Sequence, residues 1–255
     1  MNLQRLNMDN SWRMKFAGLD LLIDPWLQGV EVDYFPWFNT QWHRTKPIPV
    51  QEIGEHDLVL ITQKYPDHFH QETLLALAPE QLVVPKSIEK KVRRLLPNAN
   101  VLTINSSPHS LLGSRLNIHF LPTNRKIDPI YDALLLENGE ESILLATHGL
   151  TDLEAHLSFI RNAPPVKLVL TPFDHYRLPA LLGGTVAPGM DAVRALIETI
   201  DPRYVVATHD EDKFAKGLVT KAARITKPPS PDELRKEALF ENRLLTIDNY
   251  HSCEL

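Results

Sequence analysis

Cysteine is almost absent: Cys253, near the C-terminus, is the only one in 255 residues. Disulfide frameworks and cysteine-ligated zinc are therefore excluded, and a thiol so close to a chain end makes a poor nucleophile. An excess of one charge is also missing. The formal net charge is −5, from 27 Lys and Arg against 32 Asp and Glu, with the two signs interspersed. Nothing forms the basic stripe of a nucleic-acid surface. No apolar run approaches membrane-span length, and the N-terminus lacks the basic region and apolar stretch of a signal peptide. A cytoplasmic, reducing location is expected, with neither a membrane nor a nucleic-acid partner. Gly-x-Gly-x-x-Gly, Gly-x-Ser-x-Gly and phosphate-loop motifs are lacking, and Gly183-Gly184 supplies only a flexible turn. There is no internal repeat and no low-complexity tract.

What is present is enough for a substantial core, since 43% of the residues are apolar. The chain reads as a single domain, 1–255, with 227–255 a C-terminal segment packed on it. Lys227-Pro228-Pro229-Ser230-Pro231 is the nearest thing to a linker, and a short helix is predicted after it, from Asp232 to Phe240. Strands are predicted at Ser11 to Phe16 and Leu19 to Ile23, joined at Ala17-Gly18. Others are Leu58 to Ile61, Leu82 to Val84, Val101 to Ile104, Leu116 to Leu121, Ala133 to Leu136, Ile143 to Ala146, Leu168 to Leu170 and Tyr204 to Ala207. Helices are predicted at Gln71 to Leu77, from a Ser87 cap to Leu96, from Asp152 to Asn162, and from Gly189 to Ile200. Strands dominate the first half and alternate with helices in the second, which suits layered sheets with helices outside. All four tryptophans fall between residues 12 and 42. The aromatic loop from Trp26 to Trp42 is a flap packed on the core, a lid over a substrate pocket, or a dimer contact.

The histidines carry the functional signal. Four of the eleven stand just past apolar strands: His68, His148, His175 and His209. Loops leaving a rigid sheet are where binding groups are usually placed. A lone histidine there is more often a hydrogen-bonded structural residue. Four such positions, two of them preceded by aspartates (Asp67 and Asp174), point to a site.

Residues 62–70 read Thr-Gln-Lys-Tyr-Pro-Asp-His-Phe-His after the apolar run Asp57-Leu58-Val59-Leu60-Ile61. This resembles the metallo-β-lactamase signature of a buried strand, His-x-His-x-Asp-His and a helix, here degenerate as Gln63-x-Tyr65-x-Asp67-His68. Asp24-Pro25-Trp26-Leu27 after Leu21-Leu22-Ile23 is similar to a segment of the ascorbate-6-phosphate-lactonase-like branch. So are Leu170-Thr171-Pro172, Ala187-Pro188-Gly189-Met190-Asp191-Ala192 and Val205-Val206-Ala207-Thr208-His209, in that order. The resemblance covers about residues 11–210. It implies an α/β four-layer αββα sandwich of the metallo-β-lactamase type.

The resemblance also implies a site, residue by residue. The family's first metal would take the positions of Gln63, Tyr65 and Arg125, and arginine cannot ligate a cation, so that metal is expected to be absent. The second would take Asp67, His68, His148 (where the family has a bridging aspartate) and His209. Three imidazoles and one carboxylate suit one divalent ion, zinc first, with iron or manganese as alternatives. Loss of the first site and of the bridging carboxylate agree, because a neutral imidazole binds one metal only. Gln63, His70, Asp174 and His175 are candidates to orient a ligand imidazole or touch substrate; His70, at a helix start, has helix-terminal hydrogen bonding as its plainer role.

The implied function is a metal-dependent hydrolase-like protein with a degenerate, mononuclear site. Its substrate would be small and anionic: a lactone, ester or phosphorylated metabolite. Asp67 would be ligand or proton acceptor, and Tyr65 or Arg125 would stabilise an oxyanion or bind an anionic group. Four protein ligands would, however, close a tetrahedral zinc. The alternative is therefore a non-catalytic binding or structural protein on the same fold. Redox chemistry at a mononuclear iron is a third reading with no specific support. Assembly into a homo-oligomer stays open.

Overall fold

The computed structural model describes residues 1–104, 115–124 and 130–255, together with the backbone of 109–111. The chain divides into two compact units. The first comprises Met1–Asn105, Glu211–Lys221 and Ile247–Leu255; the second comprises Ser106–Asp210 and Ala222–Thr246. The C-terminal segment is thus shared, with 227–246 in one unit and 247–255 in the other.

The first unit is built on a seven-stranded sheet in the order Cys253–Glu254, Asn2–Arg5, Trp12–Phe16, Leu19–Ile23, Leu58–Leu60, Gln81–Pro85, Asn100–Ile104. Trp12, Met14 and Phe16 are buried while Arg13 and Lys15 are not, the period-two pattern of a strand. Ala17 (φ 55°) and Gly18 (φ 76°) turn it into Leu19–Ile23. Two consecutive positive φ values match the right-handed twist of a tight hairpin. From Leu19–Ile23 onward the pairings are parallel, and the last two of these connections run through the helices Gln71–Leu77 and Glu89–Leu95. Leu22, Val59, Leu82, Val84 and Val101 pack with Leu74, Val92 and Leu96 of those helices. Ser87 does not cap the second helix. Its N-cap is Ile88, with no side-chain cap bond, and the helix is held instead by the Ile88 N–H to the Pro85 carbonyl at 3.1 Å.

A second, three-stranded sheet belongs to this unit: Lys213–Lys216, Asn39–His43 and Glu31–Asp33. The aromatic loop is therefore largely a hairpin. Its residues divide: Trp26 is fully buried, whereas Tyr34 is 72%, Phe35 56% and Trp37 65% exposed.

The second unit has its own seven-stranded sheet, in the order Leu244–Leu245, Tyr204–Ala207, Val166–Thr171, Ser142–Leu145, Ala133–Glu137, Leu116–Leu121, His109–Leu111. Three antiparallel pairings precede three parallel ones. Leu144, Val169 and Val205 pack with Ile160 of the helix Leu153–Asn162 and with Val193, Leu196 and Ile197 of Met190–Ile200. The predicted helix from Asp232 to Phe240 is cut to Pro231–Leu234, with a Ser230/Glu233 capping box. Beyond it, Lys236 and Glu237 bond back three residues, to Glu233 and Leu234. That tighter turn carries Phe240 into the core, fully buried.

Candidate metal centre

In the first unit the site begins at two strand ends. Asp24 follows Leu19–Ile23 with φ at 46°, a left-handed conformation uncommon outside glycine. Its fully buried carboxylate faces the chain leaving Leu58–Leu60. Oδ1 accepts the Thr62 N–H at 2.7 Å, and Oδ2 accepts the Thr62 hydroxyl at 2.5 Å. Oδ2 also lies 2.8 Å from His68 Nδ1. A carboxylate can only accept, so Nδ1 carries the proton and Nε2 presents its lone pair.

His68 is fully buried. Burial lowers its basicity, and the Asp24 and Asp67 carboxylates override that, so its pKa is raised. A turn closed by the His68 and Phe69 N–H groups on the Tyr65 carbonyl (3.0 and 2.7 Å) presents Asp67 and His68 in succession. Asn10 pins that turn, donating to the Asp67 carbonyl at 2.7 Å. Asp67 Oδ1 is 3.8 Å from His68 Nε2, and Oδ2 is 3.9 Å from Lys213 Nζ. Lys213 also meets Asp9 at 3.1 Å and Glu211 at 3.6 Å. Burial depresses the Lys213 ammonium pKa, but these acids win and hold it well above the usual lysine range.

Gln63 is buried and Tyr65 half-buried, with the Lys64 ammonium 5.2 Å from the Tyr65 ring centre. Arg125 lies outside the described residues. His70 caps the helix Gln71–Leu77: its Nδ1 accepts the Thr73 N–H at 3.3 Å and lies 2.9 Å from the Thr73 hydroxyl.

In the second unit His148 follows Ser142–Leu145 and His209 follows Tyr204–Ala207. Both are buried, and their ring centres are 4.6 Å apart at 42°. His209 has φ 55°. The turn after His148 needs glycine: Gly149 has φ 95°, and a Cβ there would stand 2.7 Å from Pro188 Cγ. Asp174 is buried and ion-paired with Lys227 at 2.7 Å, and Lys227 donates to the Asp210 carbonyl at 2.7 Å. That clamp ties the residue after His209 to Asp174. His175 is half-buried in the strand His175–Arg177, paired with Thr226 and Pro188.

The donors suit a divalent cation. His68 Nε2 and Asp67 Oδ1 at 3.8 Å match the roughly 3–4 Å between two ligand atoms of one zinc bound at about 2.0–2.2 Å. Two residues escaped the sequence reading, Asp24 as the partner of His68 and Lys213 as the partner of Asp67. The signal for Asp24 was its place at the end of a buried strand before Pro25. Nothing local marks Lys213.

Residues 7–209 match a family model described as a beta-lactamase superfamily domain. No match is found among curated proteins. Among solved structures, an isothiocyanate hydrolase from Delia radicum gut bacteria is 16% identical, with a TM-score of 0.70 over 100% of this chain and 99% of that one. A metallo hydrolase from the archaeon Ignicoccus hospitalis is 17% identical, TM-score 0.63, over 100% and 98%. A diiron β-hydroxylase from Streptomyces venezuelae is 18% identical, TM-score 0.62, over 82% of this chain and 44% of that one.

Proposed function

We propose, for a chain that belongs to the β-lactamase superfamily, a metal-dependent hydrolase acting through one divalent cation held by Asp67, His68, His148 and His209. The observation that carries this reading is the state of His68: Asp24 takes its Nδ1 at 2.8 Å and leaves Nε2 facing Asp67 Oδ1 at 3.8 Å. Supporting it, the three imidazoles are all buried and each offers one ring nitrogen. Zinc is the first choice, with iron or manganese next. A bound cation of this kind supplies Lewis acidity toward a carbonyl or phosphoryl oxygen.

The chain's own residues do the rest. Asp24 fixes the His68 tautomer, and Lys213 holds Asp67 by one oxygen so that the other serves as ligand or proton acceptor. The Tyr65 hydroxyl is suited to donate to a developing oxyanion, and Arg125 is assigned the anionic part of the substrate. The substrate is then a small lactone, ester or phosphorylated metabolite. The single cysteine fits a reducing cytoplasm, and no described helix is long and apolar enough to cross a membrane.

A second reading follows from ligand count: four protein donors leave a tetrahedral zinc closed and structural. A panel of lactones, carboxyl esters and phosphoesters, offered to zinc-, iron- and manganese-loaded protein, separates the two. Turnover that His68→Ala abolishes is the expected result. Metal retained without turnover of any class favours the structural reading.

A further inference from the structure

Residues 6–11, Leu-Asn-Met-Asp-Asn-Ser, join the strands Asn2–Arg5 and Trp12–Phe16 of the first unit. A polar hairpin tip ordinarily lies in solvent. This one is turned inward: Asn7, Asp9, Asn10 and Ser11 are all 0% exposed. Burying such groups is costly unless each finds a partner, and here each does. Asn7 closes the turn. Its Oδ1 accepts the N–H groups of Asp9, Asn10 and Ser11 at 3.0, 2.9 and 2.9 Å, an Asx turn extended by further bonds. Its Nδ2 donates to Ser11 Oγ at 2.8 Å and to the Trp26 carbonyl at 3.0 Å.

The closed turn holds three separate segments. Ser11 Oγ donates to the Asp24 carbonyl at 2.6 Å and accepts the Trp26 N–H at 2.9 Å. Asn10 Nδ2 donates to the Asp67 carbonyl at 2.7 Å. Asp9 accepts the Glu211 N–H at 3.0 Å and the Lys213 ammonium at 3.1 Å. Asp24, Asp67 and Lys213 stand 13, 57 and 204 residues from their partners in the turn, so local structure does not bring them there. All three bear on His68: Asp24 takes its Nδ1, Asp67 precedes it, and Lys213 faces the Asp67 carboxylate.

An apolar turn could fill the same space, because replacing both partners of a buried hydrogen bond by apolar groups of like shape is nearly neutral for stability. What the hydrogen bonds add is direction. His68 Nε2 and Asp67 Oδ1 lie 3.8 Å apart, and ligand atoms must hold such a spacing to within about 0.5 Å. We infer that Asn10 is a positioning residue of the candidate metal centre, acting through the Asp67 main chain, and that Asn7 sets Asn10 by closing the turn; this rests on the metal-dependent reading of Asp67 and His68.

The test compares Asn10→Ala with Gln4→Ala in the full chain. Gln4 also donates to a distant carbonyl, that of Tyr250 at 2.7 Å, but ties no residue of the centre. Zinc affinity is read by chelator competition and metal geometry by the visible absorption of the cobalt-loaded protein, at a temperature where circular dichroism shows each variant folded. Asn10→Ala should bind zinc about ten-fold or more weakly and shift the cobalt bands. Gln4→Ala should lower the melting temperature and leave both readouts as in the wild type. If Asn10→Ala does not fold, Asn10→Ser is read in its place: its hydroxyl suits a turn but is too short to replace the amide. Wild-type zinc affinity and cobalt bands in the Asn10 variant, or the same losses in Gln4→Ala, would overturn the inference while the metal reading stands. A wild-type chain that takes up neither zinc nor cobalt would overturn both.

Discussion

His68 and His209 both stand just past the end of a buried strand, yet they are set by different means. His68 is fixed through its side chain, by an Asp24 carboxylate that also binds the backbone and hydroxyl of Thr62. His209 is fixed through its main chain, at φ 55°, with the Lys227 clamp on the following carbonyl. The first arrangement chooses which ring nitrogen is exposed; the second chooses where the ring points. A candidate centre that draws on both inherits two separate weaknesses: charge changes should damage the first unit's contribution and backbone changes the second's.

The largest effect is expected at Lys213. Lys213→Met leaves Asp9, Asp67 and Glu211 without their common cation. The stability cost should be about 3–5 kcal/mol, as for a broken buried ion pair, read by denaturant unfolding. A cost below 1 kcal/mol would show that the cluster is solvated. Next is Asp24→Asn, which suits the backbone because asparagine tolerates positive φ. It removes the charge behind His68 and turns one of the two accepting oxygens into an NH2 donor facing Thr62 or His68, so zinc affinity should fall about 10–100-fold in chelator competition while the fold persists. An unchanged affinity would mean that Asp24 does not orient a ligand.

Gly149→Ala probes the other unit. With φ at 95° and Pro188 Cγ 2.7 Å from a new Cβ, it should cost about 1–3 kcal/mol. A melting temperature equal to the wild type's would show that the His148 turn yields freely.

The smallest expected effect is a pH dependence inside the first unit. Burial lowers the His43 pKa from 6.5 to about 4. Between those values the unfolded chain binds more protons, so stability from this group rises with pH and is lost on acidification. Burial, with Asp67, raises Asp33 from 3.8 to about 6. There the folded chain binds more protons, so stability falls as pH rises through the same window. The two oppose each other. His43→Phe, which keeps the ring against Trp26, should leave the Asp33 contribution alone and make stability fall by about 1–2 kcal/mol between pH 4 and 6.5. A variant with the wild-type pH profile would contradict this opposition.

How far the sequence was legible depended on how local the determinants are. Leu19–Ile23, Gln71–Leu77, Leu116–Leu121 and Tyr204–Ala207 fall where periodicity and turn residues place them, and the metallo-β-lactamase fold expected from the degenerate motif is met. Glu31–Asp33, Asn39–His43 and Lys213–Lys216 were unread because they are short and polar, and the last pairs with a strand some 170 residues earlier. The Asp24–His68 bond spans 44 residues and leaves no spacing signature. Lys213 is a lysine like any other until the fold buries it.

The most direct test of the central claim is elemental analysis of protein purified without chelator or histidine tag. The account predicts about one zinc, iron or manganese per chain, lost when Asp67→Ala is combined with His209→Ala. A metal content near zero that stays so after incubation with those ions would contradict it.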